Sequence, residues 1–190
     1  MDLQLRTMQP GDSEAVSALA DVLVGSGYYP PSLVDEYRIR STDGDHVQSW
    51  VAVDGEEIVA FRFTFPPGRW SEGRGKGLSP EDWPVGLEKA AYFQSCFVSE
   101  SYMGHGIGRR LAAASLEALR AHGTGMVVAH CWKESPHNSS FRYLTRLGFQ
   151  PVTEHPLYWV DVDYVCKLDG QPCRCTAIEM ILDLRTDGMA

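Results

Sequence analysis

The 190-residue sequence contains no run approaching the roughly 18 consecutive apolar residues of a membrane-spanning helix, so nothing in it is expected to cross a bilayer. Its start, MDLQLRTMQPGDSEA, lacks a basic segment followed by an apolar run, so no signal peptide is expected. Positive charge is short: 17 Lys and Arg stand against 25 Asp and Glu, a formal net charge of -8. Phosphate neutralisation needs a basic face, so nucleic acid is disfavoured as the main partner. An acidic surface serves solubility and suits cationic substrates such as amines. The five cysteines are few and odd in number. Without a leader they argue for reduced thiols in a cytoplasm rather than a disulfide framework. Internal repeats and low-complexity segments are missing, and no pattern specifies an oligomeric state.

What is present is ordinary globular material, 44% hydrophobic and 22% charged, enough for one domain over residues 1–190. Residues 3–8 alternate as a first strand, broken by Pro10, Gly11 and Asp12. Asp12 or Ser13 can cap a helix carrying Val16, Leu19, Ala20 and Leu23 at helical spacing, and Gly25 and Gly27 end it. Pro30 and Pro31 start a short helix through about Arg40. Residues 47–65 form two β-rich runs about Asp54-Gly55, a hairpin signal. Residues 66–89, rich in Pro and Gly, form an irregular excursion that is either functional or a loose decoration. A central strand is expected over 90–98 and a helix over 107–122 with Ile107, Leu111, Ala114 and Ala118 on one face. A buried strand, 126–132, and a helix from about Ser135 to Leu147, ended by Gly148, come next. The last strands fall near 149–162 and 176–184, flanking a cysteine-rich turn at 164–175. This order predicts an α/β (α+β) fold, a mixed sheet of about six to seven strands flanked by about four helices.

The sharpest local signal is SYMGHGIGRRL, with Gly104, Gly106 and Gly108 spaced two apart between a strand and a helix. Glycine lets backbone N–H groups approach an anion closely, and the helix start adds unpaired N–H groups and a positive dipole end. Arg109 and Arg110 add charge. The dinucleotide pattern G-x-G-x-x-G would need Gly at Arg109, and the Gly-Lys pair of a P-loop is missing. On glycines alone, a tight strand-to-helix turn without a ligand is the other reading.

VSESYMGHGIGRRL resembles the acetyl-CoA-binding motif of GNAT acetyltransferases, Q/R-x-x-G-x-G/A, with Met103 where Gln or Arg is usual and Gly106 and Gly108 at the small positions. SSFRYLTRLGF is similar to that family's second block, a helix ending in Gly-Phe, here Gly148-Phe149. The order of elements matches from about residue 3 to 184. The resemblance implies transfer of acetyl from acetyl-CoA to a primary amine of a small molecule or peptide. Met103, Gly104, His105, Gly106, Ile107, Gly108 and Arg109 would form the pyrophosphate loop. A bulge at the end of the fourth strand would offer the N–H groups of Phe97 and Val98 to the pantetheine and thioester.

The amine must lose a proton before attack, and the leaving thiolate benefits from an acid. By the resemblance, Glu100 is the candidate proton acceptor beside the thioester; a solvated loop carboxylate is the plain alternative. His130 lies on the next strand and Glu134 just after it; His130 has a suitable reference pKa near 6.5, with a satisfied strand histidine as the other reading. The family's helical tyrosine falls on Leu144; Tyr143, one residue earlier and turned by about 100°, is the candidate acid if the helix is rotated or bulged, and otherwise a half-buried packing tyrosine. The family's pantetheine-contacting Asn falls on His137, with Asn138 adjacent. Without an acid the thiolate still leaves, since a thiol pKa of about 8.5 makes it a tolerable leaving group.

Cys166, Asp169, Cys173 and Cys175 put three thiols and a carboxylate within ten residues. Zinc accepts S and O ligands tetrahedrally, with His155 another possible fourth ligand; free buried thiols or a redox-labile cluster are the alternatives. Cys96 and Cys131 read as small strand residues. Two further functions stay open: a non-catalytic acyl-CoA-binding sensor and a zinc-linked interaction module.

Overall fold

The computed structural model describes residues 2–70 and 77–185. In chain order the elements are β1 (Leu3–Thr7), α1 (Ser13–Leu23), α2 (Pro31–Arg40), β2 (Thr42–Asp43), β3 (His46–Val47), β4 (Trp50–Asp54), β5 (Glu57–Phe65), β6 (Ala90–Val98), α3 (Ile107–Ala121), β7 (Met126–Trp132), α4 (Ser139–Arg146), β8 (Gln150–His155) and β9 (Ala177–Asp183). Local chemistry sets these bounds. Asp54 and Glu57 pair across a two-residue turn holding Gly55 at positive φ, and Pro31 opens α2 at a position whose N–H has no helical partner.

Seven strands form one sheet in the order β1-β4-β5-β6-β7-β9-β8, with β2 and β3 a separate small hairpin. Each pairing in the large sheet is antiparallel except β6 with β7. A parallel neighbour needs a crossover, and α3 supplies it. One face of the sheet carries Phe61, Phe63 and Phe65 against Tyr29 and Tyr37 of the α1–α2 region. The other packs Phe93, Val127 and Ala129 against Leu116 and Leu119 of α3 and Leu144 and Phe149 around α4. Each fully buried Leu or Phe contributes about 1.5–3 kcal/mol from burial.

Three expectations need correction. The buried face of α3 is Ile107, Leu111, Ala112, Ser115, Leu116 and Leu119; Ala114 and Ala118 are only half-buried. The Ser115 hydroxyl turns inward to bond Thr64 Oγ1 (3.2 Å) and the Gln48 carbonyl (3.2 Å). The strand expected to run to 162 stops at His155, because Pro156 has no N–H to continue the ladder and Leu157 turns to φ 57°. The hairpin of β2 and β3 was not expected: the sequence reading assigned nothing to 41–46 and gave Val47 to the first β-rich run.

The excursion at 66–89 is tied down at its described parts; residues 71–76 lie outside them. Trp70 is buried, donates its indole N–H to the Ala90 carbonyl (2.7 Å) and stacks on Tyr92 (4.8 Å between centroids). Trp83 is buried and donates to Glu179 Oε1 (2.6 Å). This loop therefore covers the sheet rather than leaving it.

Candidate active site

The middle strand is open where a middle strand is ordinarily covered. β6 pairs with β7 only over Ala90–Phe93, opposite Met126–Ala129. Beyond Phe93, β6 stays with β5 while β7 stays with β9, so the two strands part. Burial follows: Ala90–Phe93 are buried and Gln94–Val98 are half-exposed. The register against β5 shifts between Phe93 and Ser95, leaving Gln94 as an extra residue, a bulge that aids the divergence.

The bulge therefore sits at Gln94, not at Phe97 and Val98. The Ser99 N–H donates to the Val59 carbonyl (2.8 Å), which fixes the phase of the antiparallel ladder. By alternation, the N–H of Phe97 is directed at β5, whereas those of Val98 and Cys96 point into the gap. Of the two residues read from the sequence, Val98 has its N–H on the gap side and Phe97 does not; the other gap-side N–H belongs to Cys96. One bulged residue upstream is enough to make that exchange.

The glycine loop closes the mouth of this gap. Gly104 and Gly106 stand at φ 83° and 73°, and Gly106 is the left-handed residue that caps α3. The first helical bond of α3 runs from Arg110 N–H to the Gly106 carbonyl (3.0 Å), so the N–H groups of Ile107, Gly108 and Arg109 lie ahead of the ladder. With no side-chain cap and no acidic residue in its first turn, that helix end is open to an anion. A Cβ at Gly106 would have only Arg109 Nη2 within reach, at 4.0 Å. Met103 is exposed and brings no polar group. His105 donates its Nδ1–H towards the Met103 carbonyl (3.1 Å), bracing the loop from outside. Gly108 faces inward: a Cβ there would press on Tyr143 Cε2 at 3.3 Å and Cys96 Sγ at 3.6 Å, so its smallness serves the packing beneath the gap.

Beneath the gap lies a residue the sequence reading passed over. Arg62, in the apolar strand β5, is fully buried. Its Nη2 donates to Tyr143 Oη (2.7 Å), its guanidinium lies 3.8 Å from the Phe93 ring centroid, and its Nε makes no hydrogen bond. Among the described residues no carboxylate is paired with it. The Tyr143 hydroxyl donates in turn to the Gly108 carbonyl (2.9 Å). Burial pushes the phenol above its ordinary range and the Arg62 charge opposes that rise. Leu144 is buried in the core with Phe149, so α4 is turned to bring Tyr143 against the start of α3. A lone arginine inside EIVAFRFTF was the available signal.

Of the remaining sequence candidates, Glu100 is exposed in a short turn (Glu100–Tyr102) directly after β6. Glu134 is engaged by the Thr176 N–H (3.0 and 3.2 Å). His137 and Asn138 are exposed at φ 55° and 54° at the start of α4.

On the opposite face, His130 of β7 is held at both nitrogens. Nε2 donates to the Gly77 carbonyl (2.6 Å), so Nδ1 accepts from the Tyr92 hydroxyl (2.7 Å), and the ring stacks on Tyr158 at 4.4 Å. Glu179 is completely buried, bonded by Trp83, by the Ser79 N–H (3.2 Å) and by His155 Nε2 (2.8 Å). Ligand atoms of His130, His155 and Glu179 come close enough for a metal ion. Those His130 nitrogens and Glu179 oxygens, however, already bond within the protein, and hydrogen bonding accounts for the cluster.

Burial pushes His130 down to about 4. The unfolded chain protonates it near 6.5, so between these values the unfolded state binds the extra proton. This contribution is complete above about pH 6.5 and drains away as pH falls towards 4, by about 3 kcal/mol in total. Chemical denaturation across that window should show stability rising with pH, and His130→Gln should flatten the slope. An unchanged slope in the variant would show that other groups set it.

The family model described as Acetyltransferase (GNAT) family matches residues 17–149. Ard1 from Thermoplasma volcanium is similar in structure at 17% identity, with a TM-score of 0.68, over 96% of this chain and 98% of that one. The ribosomal-protein-S18-alanine N-acetyltransferase from Escherichia coli is similar at 14% identity and a TM-score of 0.66, over 95% of this chain and 93% of that one. A Bacillus subtilis acetyltransferase in complex with CoA is similar at 17% identity and a TM-score of 0.63, over 96% and 99%. At these identities the likeness concerns the fold. No curated protein matches the chain.

Proposed function

The chain belongs to the GNAT acetyltransferase family, and on that premise we propose that it moves an acetyl group from acetyl-CoA to a primary amine by direct attack, in a cytoplasm. The observation that carries this reading is the opening between β6 and β7, with an uncapped helix start at its mouth. The pyrophosphate would sit on the N–H groups of residues 106–109, beside Arg109. The pantetheine would run along β6, and the thioester oxygen would take a hydrogen bond from Cys96 or Val98 N–H, strengthened as negative charge develops there. The amine would approach from the face carrying Tyr29, Tyr158 and His130, where Tyr29 Oη bonds Ser95 Oγ (2.5 Å) beside the bulge.

Proton transfer is assigned by what each group is already doing. Glu179 is buried and engaged, Glu134 holds the Thr176 N–H, and His130 has both nitrogens committed. Glu100, exposed at the end of β6, would accept the ammonium proton. Tyr143 lies on the α3 side and would give its proton to the departing thiolate by turning away from the Gly108 carbonyl. Glu100→Gln should lower turnover about tenfold or more and displace the alkaline-rising limb of the rate profile, leaving acetyl-CoA affinity unchanged. Steady-state kinetics over pH test this; a variant with the wild-type profile would mean that the proton leaves through water alone.

A further inference from the structure

Nothing in the transfer chemistry uses the turn at 164–175, yet its side chains are arranged as a ligand set. Cys166, Cys173 and Cys175 are buried in a chain segment with little regular structure. Their sulfurs and an Asp169 carboxylate oxygen all lie within 4.8 Å of one another. The Cys166 and Cys175 sulfurs are 4.0 Å apart, and Cys175 Sγ is 3.4 Å from Asp169 Oδ2. A tetrahedral ion with bonds of about 2.3 Å to sulfur and about 2.0–2.2 Å to oxygen has S···S edges of about 3.8 Å and S···O edges of about 3.5 Å. Disulfide-bonded sulfurs would stand about 2.05 Å apart, and all three cysteines are free thiols.

The backbone is shaped for the same purpose. Cys166-Lys-Leu-Asp169-Gly170 closes on itself through Cys166 N–H to the Gly170 carbonyl (2.8 Å) and Gly170 N–H to the Cys166 carbonyl (2.9 Å), with Gly170 at φ 73°. Asp169 Oδ2 accepts the Arg174 N–H (2.9 Å), which orients the carboxylate. Donors to the ligand atoms from the surrounding shell are what hold a metal site in one geometry. His155, the other fourth ligand considered from sequence, is committed to Glu179 and is not part of this set.

We propose that Cys166, Cys173, Cys175 and Asp169 bind one zinc ion, a structural site that clips the turn against the α1–α2 loop. Three sulfurs and one oxygen within 4.8 Å of one another, with all four positions taken by protein, fit zinc in a closed site. Each thiol loses its proton to solvent on binding. The clip bears on the amine side of the gap. Val165 N–H donates to Ser26 O (3.2 Å), Lys167 N–H to Val24 O (3.2 Å) and Lys167 Nζ to Val22 O (2.7 Å). A side chain at Gly25 would collide with the Val165 carbonyl, and Tyr164 packs edge-on to Tyr28 at 4.7 Å. The Cys175 carbonyl accepts from Tyr158 N–H (3.1 Å), and Tyr158 is the ring stacked on His130.

Elemental analysis of the full chain, purified without chelator from zinc-containing medium, tests the site without reference to acetyl transfer. The expected content is close to one zinc per chain, unchanged in Cys131→Ala and largely lost in Cys166→Ser and Cys175→Ser. Asp169→Asn should retain zinc with lowered affinity, because a neutral amide oxygen is a poorer ligand than a carboxylate. Where a cysteine variant fails to fold, titration of the wild-type protein with a mercurial in the presence of a zinc-sensitive dye replaces it, with zinc released in step with the modified thiols. Folded, metal-free protein that takes up no added zinc would overturn the proposal, as would a Cys166–Cys175 disulfide in the native mass.

Discussion

Replacing Gly106 with valine is expected to weaken acetyl-CoA binding by about a hundredfold or more, the largest single effect anticipated here. Two costs combine. At φ 73° an L-residue carries a penalty of roughly 1–2 kcal/mol, relieved only by moving the N–H groups that must converge on the pyrophosphate. A β-branched side chain would also stand where phosphate oxygens should approach, beside Arg109 Nη2. Gly123 supplies the control: it stands at φ 72° beyond the other end of α3, with nothing within 4 Å of an added Cβ. Gly123→Ala should therefore carry comparable backbone strain while leaving affinity untouched. Calorimetric titration of folded variants decides the matter. Equal affinity in wild type and Gly106→Val would remove the loop as the anion site. Gly108→Val is a poorer probe, because its side chain would first displace Tyr143 and Cys96.

Arg62→Met is expected to lower turnover by about tenfold to a hundredfold while holding or raising the free energy of unfolding. A buried cation with no carboxylate partner among the described residues is costly to keep, and its removal leaves no described opposite charge stranded. The lost contacts include one hydrogen bond to Tyr143 and the approach to the Phe93 ring, the latter about 2 kcal/mol when desolvated. What the charge supplies is a phenol oriented towards the start of α3 and easier to deprotonate than burial alone would allow. Arg62 is thus a positioning residue acting through Tyr143. Tyr143→Phe should lower turnover with little change in acetyl-CoA affinity, and the double variant should lose little more than either single one. Lysine at position 62 should restore part of the rate. A strongly destabilised Arg62→Met protein with normal kcat would show instead that the cation serves the fold.

Much of the architecture was legible because turn chemistry and apolar runs punctuate the chain. Asp54-Gly55 marks the β4–β5 hairpin, and Gly148 marks the end of α4. The glycine loop could be placed because glycine, helix start and arginine coincide within seven residues. The rest depended on geometry without a linear signature. A single bulged residue, Gln94, exchanges which N–H groups of β6 face the gap, and no residue type announces it. Arg62 and Glu179 lie inside apolar strands, where strand reasoning treats a charge as an edge or an error; each is buried with partners more than 15 residues away. Trp70 and Trp83 were hidden in an excursion that composition marks only as irregular. Tyr143 was legible as a residue of α4, but its partner across the sheet was not.

The most direct test of the central account is acetyl transfer itself, followed as thiol release from acetyl-CoA across a panel of peptide α-amines, polyamines and amino sugars. With an accepted amine, thiol release should match acetylated product one for one. Initial-velocity lines should intersect, as direct attack in a ternary complex requires, and Gly106→Val should sharply lower the signal at acetyl-CoA concentrations that just saturate the wild type. Acetyl-CoA bound tightly with no amine-dependent thiol release would contradict the account and identify a sensor, and parallel lines with acetyl trapped on Cys96 would contradict direct attack.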